Sequence, residues 1–236
     1  MLEIRKSADR GYANHGWLES RHSFSFAKYY DAKHMGFGPL LVINEDWING
    51  GKGFGTHGHQ NMEIITYVLD GALEHKDSMG NTSILRCGDV QRMSAGTGVQ
   101  HSEFNHSSTE LLHLLQIWIK PNVQEIEPSY EEKHFDLASK INQLRLIASP
   151  NGRNESLTIH QDALVFAWVL HQSNPINYSI EQSRIVYLHV VSGALSVNGV
   201  RLSAGDAVKA MDIDALFIEA ASDTDGVEVL LFDMQL

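Results

Sequence analysis

Residues 67–73 read Tyr-Val-Leu-Asp-Gly-Ala-Leu, and residues 187–195 read Tyr-Leu-His-Val-Val-Ser-Gly-Ala-Leu. A second turn follows each stretch, at Gly88-Asp89 in the first copy and at Gly205-Asp206 in the second. The order strand, Gly turn, strand, Gly-Asp turn, strand therefore occurs twice in one chain. The simplest explanation is a small β-barrel that is present in two copies.

The rest of the chain repeats the same local pattern. Short apolar runs rich in β-branched and aromatic residues end at Gly, Asn or Asp, which predicts antiparallel strands. Clear examples are residues 40–44, 64–69, 111–120, 185–191 and 227–232. Helical spacing is weak, and its best candidate is 136–144. We therefore predict an all-β chain with few short helices and two domains, 1–130 and 131–236.

Composition excludes several function classes. Lys and Arg number 18 against 29 Asp and Glu, a formal charge of −11, and this acidity disfavours direct nucleic-acid binding. No apolar stretch approaches the roughly 20 residues that span a bilayer, and the charged first ten residues do not resemble a signal peptide. Cys87 is the only cysteine and is expected to be structural, which fits a reducing compartment. These features predict a cytoplasmic protein with no membrane contact.

Two short segments combine residues that bind metals. In Gly55-Thr56-His57-Gly58-His59 the imidazoles are two residues apart, so on a strand they face the same side. His101-Ser102-Glu103 repeats this spacing with an imidazole and a carboxylate. If the two strands lie side by side, three imidazoles and one carboxylate can share one ion. This donor set suits Fe, Mn, Ni, Co, Cu or Zn rather than Ca or Mg.

Glu63 is a competing carboxylate. Like His57 and His59, it is an odd-numbered residue of one extended run, so it would face the same side. The spacing leaves open whether it binds the metal or accepts a hydrogen bond from a ligand imidazole. His75 is expected to hold a turn by hydrogen bonding, and its alternative role is to line a pocket. Met35, Phe37 and Phe54 are expected to pack in the core, although they could instead line an apolar cavity for a flat ligand.

Both segments lie within longer patterns that resemble the two motifs of the cupin superfamily. The first is Gly51-x5-His57-x-His59-x3-Glu63 with Gly71, and the second runs from Gly88 through His101 to Asn105. Ser94 replaces the usual Pro of the second motif, and two extra residues precede its His. These departures are similar to the pirin family, as are residues 22–26, 35–39, 74–81, 93–98 and 115–118. The resemblance is close over roughly 5–130 and loose beyond it, where a degenerate second cupin is implied.

The resemblance implies the site and the chemistry. It implies two packed tandem cupin barrels and one divalent metal, iron, bound by His57, His59, His101 and Glu103, with Glu63 outside the ligand set. Zn, Ni, Cu, Mn or Co could replace iron in purified protein. Ser179 and Glu181 align with the first-motif histidines in the second copy, so no second metal is expected there.

The implied activity is a dioxygenase that cleaves the central ring of a flavonol such as quercetin with O2 and releases carbon monoxide. Glu103 and Glu63 are both candidates for the proton acceptor. The expected partners are a small aromatic substrate and O2. A different class stays open, namely a metal-dependent regulatory protein that binds a transcription factor or a metabolic enzyme. A monomer is compatible with internal duplication.

Overall fold

The computed structural model of the chain describes residues 1–171, 175–221 and 226–236. These residues form two compact units. The first unit comprises residues 11–135 and 157–161, and the second comprises residues 1–10, 136–156 and 162–236. A domain boundary at residue 130 stays a prediction.

Almost all regular structure is β. The strands are β1 Leu2–Arg5, β2 Gly11–Asn14, β3 Leu18–His22, β4 Leu40–Ile48, β5 Gly53–His59, β6 Glu63–Asp70, β7 Ala72–Asp77, β8 Thr82–Arg86, β9 Asp89–Ser94, β10 Val99–Asn105, β11 Leu112–Ile119, β12 Ser129–His134, β13 Arg145–Ser149, β14 Leu157–Thr158, β15 Ala163–Leu170, β16 Ile176–Ser179, β17 Arg184–Ser192, β18 Ala194–Val197, β19 Val200–Ser203, β20 Ala207–Ala210, β21 Ala215–Ala220 and β22 Val227–Gln235. The helical turns are Ser7–Asp9, α1 Leu137–Lys140 and Arg153–Glu155. The prediction of an all-β chain with a few short helices is confirmed.

Two antiparallel sheets build the first unit. The larger sheet has the order β12-β9-β6-β11-β4-β3-β2, and the smaller has the order β5-β10-β7-β8. Leu73 and Leu85 of the smaller sheet pack with Ile48, Val68 and Leu114 of the larger sheet in one buried cluster. Because its members come from both sheets, this cluster packs the two sheets together.

The second unit repeats the two-sheet plan with a different interior. Its strands β1, β20, β17, β22, β15 and β13 lie side by side in that order, and β16, β21, β18 and β19 form the other sheet. Apolar side chains fill the space between them, among them Trp168, Val186, Leu188, Val229 and Leu231, all fully buried. Among the described residues, the side-chain groups that could hold a metal ion all lie in the first unit.

The turns that suggested a duplication have matching geometry. Asp89 accepts a hydrogen bond from the Arg86 amide at 2.7 Å, and Asp206 accepts one from the Ser203 amide at 3.0 Å. The glycine before each aspartate has a φ of 90° or 79°, a conformation that favours glycine. The predicted strands 40–44, 64–69, 111–120, 185–191 and 227–232 lie within or largely over β4, β6, β11, β17 and β22.

The predicted helix at 136–144 shortens to a single turn. Asp136 caps it by accepting a hydrogen bond from the Ser139 amide at 2.7 Å. Ile141 adopts an extended conformation, and it forms an isolated bridge with Val169, so the helix ends at Lys140. Over the three described ranges, no helix has the length and apolar character needed to cross a bilayer.

Candidate metal centre

Three imidazoles converge where β10 pairs with β5. His57 and His59 are two residues apart on β5 and face the same side. His101 on β10 pairs directly with His57 in the antiparallel register, so its side chain shares that side. The register then shifts before Glu103, which pairs with Phe54. The extra residue lies in β5 and forms a β-bulge, a common device beside functional sites.

The spacing of the imidazole nitrogens fits a single metal ion. Nε2 of His101 lies 3.1 Å from Nε2 of His57 and 3.0 Å from Nε2 of His59. Two nitrogens bound to one ion at about 2.1 Å and at right angles are about 3 Å apart. The geometry therefore matches adjacent positions on an octahedral ion.

The protonation states also fit a metal. Nδ1 of His57 donates a hydrogen bond to the Gly55 carbonyl oxygen at 2.8 Å, so Nε2 is the ring nitrogen that would face a metal. Burial, and after it the nearby His57, lowers the pKa of His59 to about 4. Burial and the neighbouring imidazoles lower the pKa of His101 to about 2. His59 and His101 are therefore neutral near pH 7, as metal binding requires.

Glu103 is buried beside His101 and hydrogen bonded on both oxygens. Oε1 accepts from Thr66 Oγ1 at 3.2 Å and from Gln91 Nε2 at 2.7 Å. Oε2 accepts from Gln116 Nε2 at 2.6 Å. A carboxylate has about four acceptor positions, so one position on Oε2 stays open. Burial raises the pKa of Glu103 to about 7 despite these hydrogen bonds. A cation bound close by would favour the ionised form.

The donors to Glu103 belong to a single row across the larger sheet. The strands β3, β4, β11, β6 and β9 place these residues in register: His22, Asn44, Gln116, Thr66 and Gln91. The Tyr130 hydroxyl lies 3.1 Å from Gln91 Oε1 and turns the Gln91 amide nitrogen toward Glu103. A buried row of polar residues destabilises the fold unless its members are hydrogen bonded. We therefore interpret this row as the group of residues that fixes the orientation of the Glu103 carboxylate.

His75 lies not in the expected turn but within strand β7, beside the candidate site. It lies on β7 with no exposed surface, and its ring centroid is 5.4 Å from that of His101. Its Nε2 is 3.4 Å from Asp77 Oδ2. His75, His101 and Glu103 form a second group of candidate ligand atoms, which shares His101 with the group His57, His59 and His101. The four predicted ligands are thus divided between two overlapping groups.

Glu63 does not share the face of His57 and His59, and that expectation is wrong. Strand β5 ends at His59, and the turn before β6 breaks the alternation that the odd numbering suggested. The Glu63 carboxylate accepts a hydrogen bond from Ser94 Oγ at 2.8 Å and lies 3.2 Å from His160 Nδ1. Its neighbour Ile64 lines the cavity in its place.

A cavity of about 630 Å³ opens in front of the imidazoles. Its walls include aromatic and aliphatic side chains: Leu18, Phe26, Tyr29, Phe54, Ile64 and Trp118. Phe54 contributes to this wall and also packs against the buried cluster of Leu73 and Leu85, so it has both expected roles. Met35 is exposed, so the expectation that it packs in the core is wrong. The Trp118 ring meets His59 edge to face at 5.1 Å and Phe26 at 5.4 Å. The size and the apolar walls suit a flat aromatic molecule.

The approach of β5 to β10 depends on Gly53. A Cβ at Gly53 would lie 2.2 Å from the Glu103 carbonyl oxygen and 2.5 Å from Phe104 Cα, both backbone atoms. We expect Gly53→Ala to push β5 off β10, to cost about 1–3 kcal/mol of unfolding free energy and to weaken metal binding at least about tenfold. Thermal unfolding and metal titration check this.

Gly55→Ala is the matched control on the same strand. A Cβ at Gly55 meets nothing within 4 Å, and the Gly55 carbonyl that holds His57 is kept. We expect this variant to stay within about 0.5 kcal/mol of the wild type. Equal effects from the two variants would show that the strand contact does not set the site.

Comparison with known proteins gives consistent matches over nearly the whole chain. The family model described as Pirin matches residues 3–119, and the model described as Quercetinase C-terminal cupin domain matches residues 146–234. The curated Quercetin 2,3-dioxygenase of Escherichia coli K12 is 49% identical over 234 residues, covering 99% of each chain. The crystal structure of YhhW from E. coli has a TM-score of 0.95 at 49% identity, covering 99% of this chain and 97% of that one. A structure of bacterial pirin YhhW in complex with nickel(II) has a TM-score of 0.94 at 48% identity, covering 100% and 99%.

Proposed function

This chain belongs to the pirin family and is an enzyme of the dioxygenase class, and on that premise we propose that it uses O2 to cleave the central ring of a flavonol such as quercetin, releasing carbon monoxide. The observation that carries the proposal is that three imidazole Nε2 atoms converge beside an aromatic cavity. Nε2 of His101 lies 3.0 Å from that of His59 and 3.1 Å from that of His57. We further propose iron(II) as the native metal and His57, His59, His101 and Glu103 as its ligands.

Each side chain has a defined task in this mechanism. A divalent ion held by these residues would lower the pKa of the flavonol hydroxyl at position 3 and favour its anion. The open position on Glu103 Oε2 either completes the ligand set or receives the hydroxyl proton. The donors Thr66, Gln91 and Gln116 hold that carboxylate in one orientation. Glu63, turned toward Ser94 and His160, is left out of the proton transfer.

The cavity walls position the substrate and exclude water. Trp118 and Phe26 meet edge to face and present a rigid apolar surface, against which a flat ring system can pack. Apolar walls also keep bulk water from the reacting ring, which strengthens the electrostatic effect of the centre. Neither effect depends on which divalent metal is bound.

Metal removal and return is the direct test of this activity. We expect anaerobically iron-loaded protein to consume quercetin on exposure to air, with one carbon monoxide released per O2 used. Chelation should reduce the rate to that of buffer, and reloading should restore it. Loss of the visible absorption of quercetin, oxygen uptake and carbon monoxide detection give three readouts. A rate that is unchanged by chelation, or loss of quercetin without release of carbon monoxide, would contradict the proposal. The absence of any turnover would favour a regulatory role.

A further inference from the structure

A second carboxyl group lies in the wall of the same cavity. Asp46 on β4 lines the cavity and is 3% exposed. Ser20 is its cross-strand partner on β3, and the Ser20 hydroxyl donates a hydrogen bond to Asp46 Oδ1. Over residues 1–171, 175–221 and 226–236, no hydrogen bond or ion pair reaches the other oxygen, Oδ2. Asp46 therefore presents a free acceptor atom to the cavity.

A carboxyl group in this position is costly for the folded protein. Burying a polar group without a hydrogen-bond partner is unfavourable, because the group loses its contacts with water. Burial raises the pKa of Asp46 to about 7, and the Ser20 hydrogen bond offsets only part of that rise. The charge of Asp46 also raises the pKa of Glu103, so the two carboxyl groups interact electrostatically. Burial of this kind is typical of a group that is completed by a ligand.

The surroundings of Asp46 form a narrow polar strip on an apolar wall. Asn44 lies two residues away on β4 and faces the same side. Nδ1 of His22, the cross-strand partner of Asn44, lies 2.8 Å from Asn44 Oδ1. The strip on β3 and β4 therefore consists of Ser20, His22, Asn44 and Asp46, all of which line the cavity. A few fixed polar groups on an apolar wall set the orientation of a bound molecule.

We propose that Asp46 binds a second hydroxyl group of the substrate, other than the hydroxyl at the metal, and so selects polyhydroxylated aromatic compounds. The inference rests on the proposed function for the position of the first hydroxyl. Oδ2 accepts a hydrogen bond from a phenolic O–H, while Ser20 holds the carboxylate through Oδ1. Two anchors at separate points of a flat molecule fix its direction in the cavity, which one metal contact alone does not.

Binding without turnover is the test. Iron-loaded protein is titrated anaerobically at pH 8 with quercetin, which carries several hydroxyls, and with 3-hydroxyflavone, which keeps only the hydroxyl meant for the metal. We expect Asp46→Val to weaken quercetin binding at least about tenfold, as for a lost hydrogen bond to a charged group. The dissociation constant of 3-hydroxyflavone should change less than about threefold. The deciding quantity is the ratio given by the dissociation constant of quercetin divided by that of 3-hydroxyflavone.

Glu45→Gln is the matched control, since Glu45 is the adjacent buried carboxylate on β4 and bonds His113 instead. It should leave the ratio at the wild-type value. Should Asp46→Val fail to fold, Asp46→Asn keeps the shape and should raise the ratio about threefold, because a charge-assisted hydrogen bond is roughly twice as strong as a neutral one. Metal content and thermal stability are measured for each variant.

Three results would overturn the inference: an unchanged ratio in the Asp46 variants, an equal change in Glu45→Gln, or no binding of either flavonol to the wild type. The assay contains no O2, so its outcome is separate from turnover. An Asp46-dependent ratio in a protein that never cleaves quercetin would support the anchor and remove only the dioxygenase proposal.

Discussion

Replacing His57 and His59 together with Ala is expected to abolish metal binding and flavonol cleavage. The Nε2 atoms of both residues lie about 3 Å from Nε2 of His101. Without these two imidazoles, one imidazole and one carboxylate remain, and such a pair does not hold a first-row metal firmly. Loss of an outer-shell partner alone costs about 10–100-fold in affinity or activity. We therefore expect turnover to fall at least roughly 1,000-fold, with metal content close to zero by elemental analysis.

A double variant outside the cavity controls for the loss of two imidazoles. His106 and His134 are both exposed and contact Glu74 and Asp89 respectively. His106→Ala with His134→Ala should keep full metal content and activity. If the His57 and His59 variant cleaves quercetin as fast as this control, the cluster is not the catalytic centre.

Glu103→Gln is the second change with a large expected effect. The new amide nitrogen must face either the Thr66 and Gln91 donors or the Gln116 donor, so a donor meets a donor in a buried site. The negative charge at the metal is lost as well. We expect kcat/KM to fall at least about 100-fold, measured by oxygen uptake with quercetin.

Metal analysis of the same variant separates the two roles of Glu103. Loss of metal together with activity assigns Glu103 as a ligand, whereas retained metal without activity assigns it as the proton acceptor. Glu63→Gln is the matched control, a buried carboxylate that bonds Ser94 and His160, and it should keep turnover within about threefold. Activity within threefold of wild type in Glu103→Gln would remove Glu103 from the mechanism.

Local patterns predicted the fold and part of the site. The duplicated turns and the apolar runs are short-range signals, and the strands follow them. The pairs His57 with His59 and His101 with Glu103 are two residues apart, so the alternation of a strand alone places each pair on one face. The match to the pirin family confirms the resemblance seen in the motifs.

The remaining parts of the site depend on register between distant strands. Gln116, Thr66 and Gln91 meet Glu103 only because β11, β6 and β9 align in one row. His75 enters the site through the pairing of β7 with β10, opposite Glu103. No spacing in the sequence shows either arrangement.

Glu63 shows that odd and even residue numbers predict the face of a side chain only within one continuous strand. Asn61, between β5 and β6, has a φ of 50°, so the run from His57 to Glu63 is not one continuous strand. Asp46 was missed because no local pattern distinguishes it. In the sequence it is an ordinary acidic residue of β4, and only its burial in the cavity wall gives it a role.

Anomalous diffraction from a metal-loaded crystal tests the central claim most directly, because it locates the ion without reference to activity. We expect one strong peak per chain, about 2.0–2.3 Å from Nε2 of His57, His59 and His101, with a Glu103 oxygen next to it. A peak among His75, His101 and Glu103 that leaves His57 and His59 unbound would contradict the account, as would a peak in the second unit.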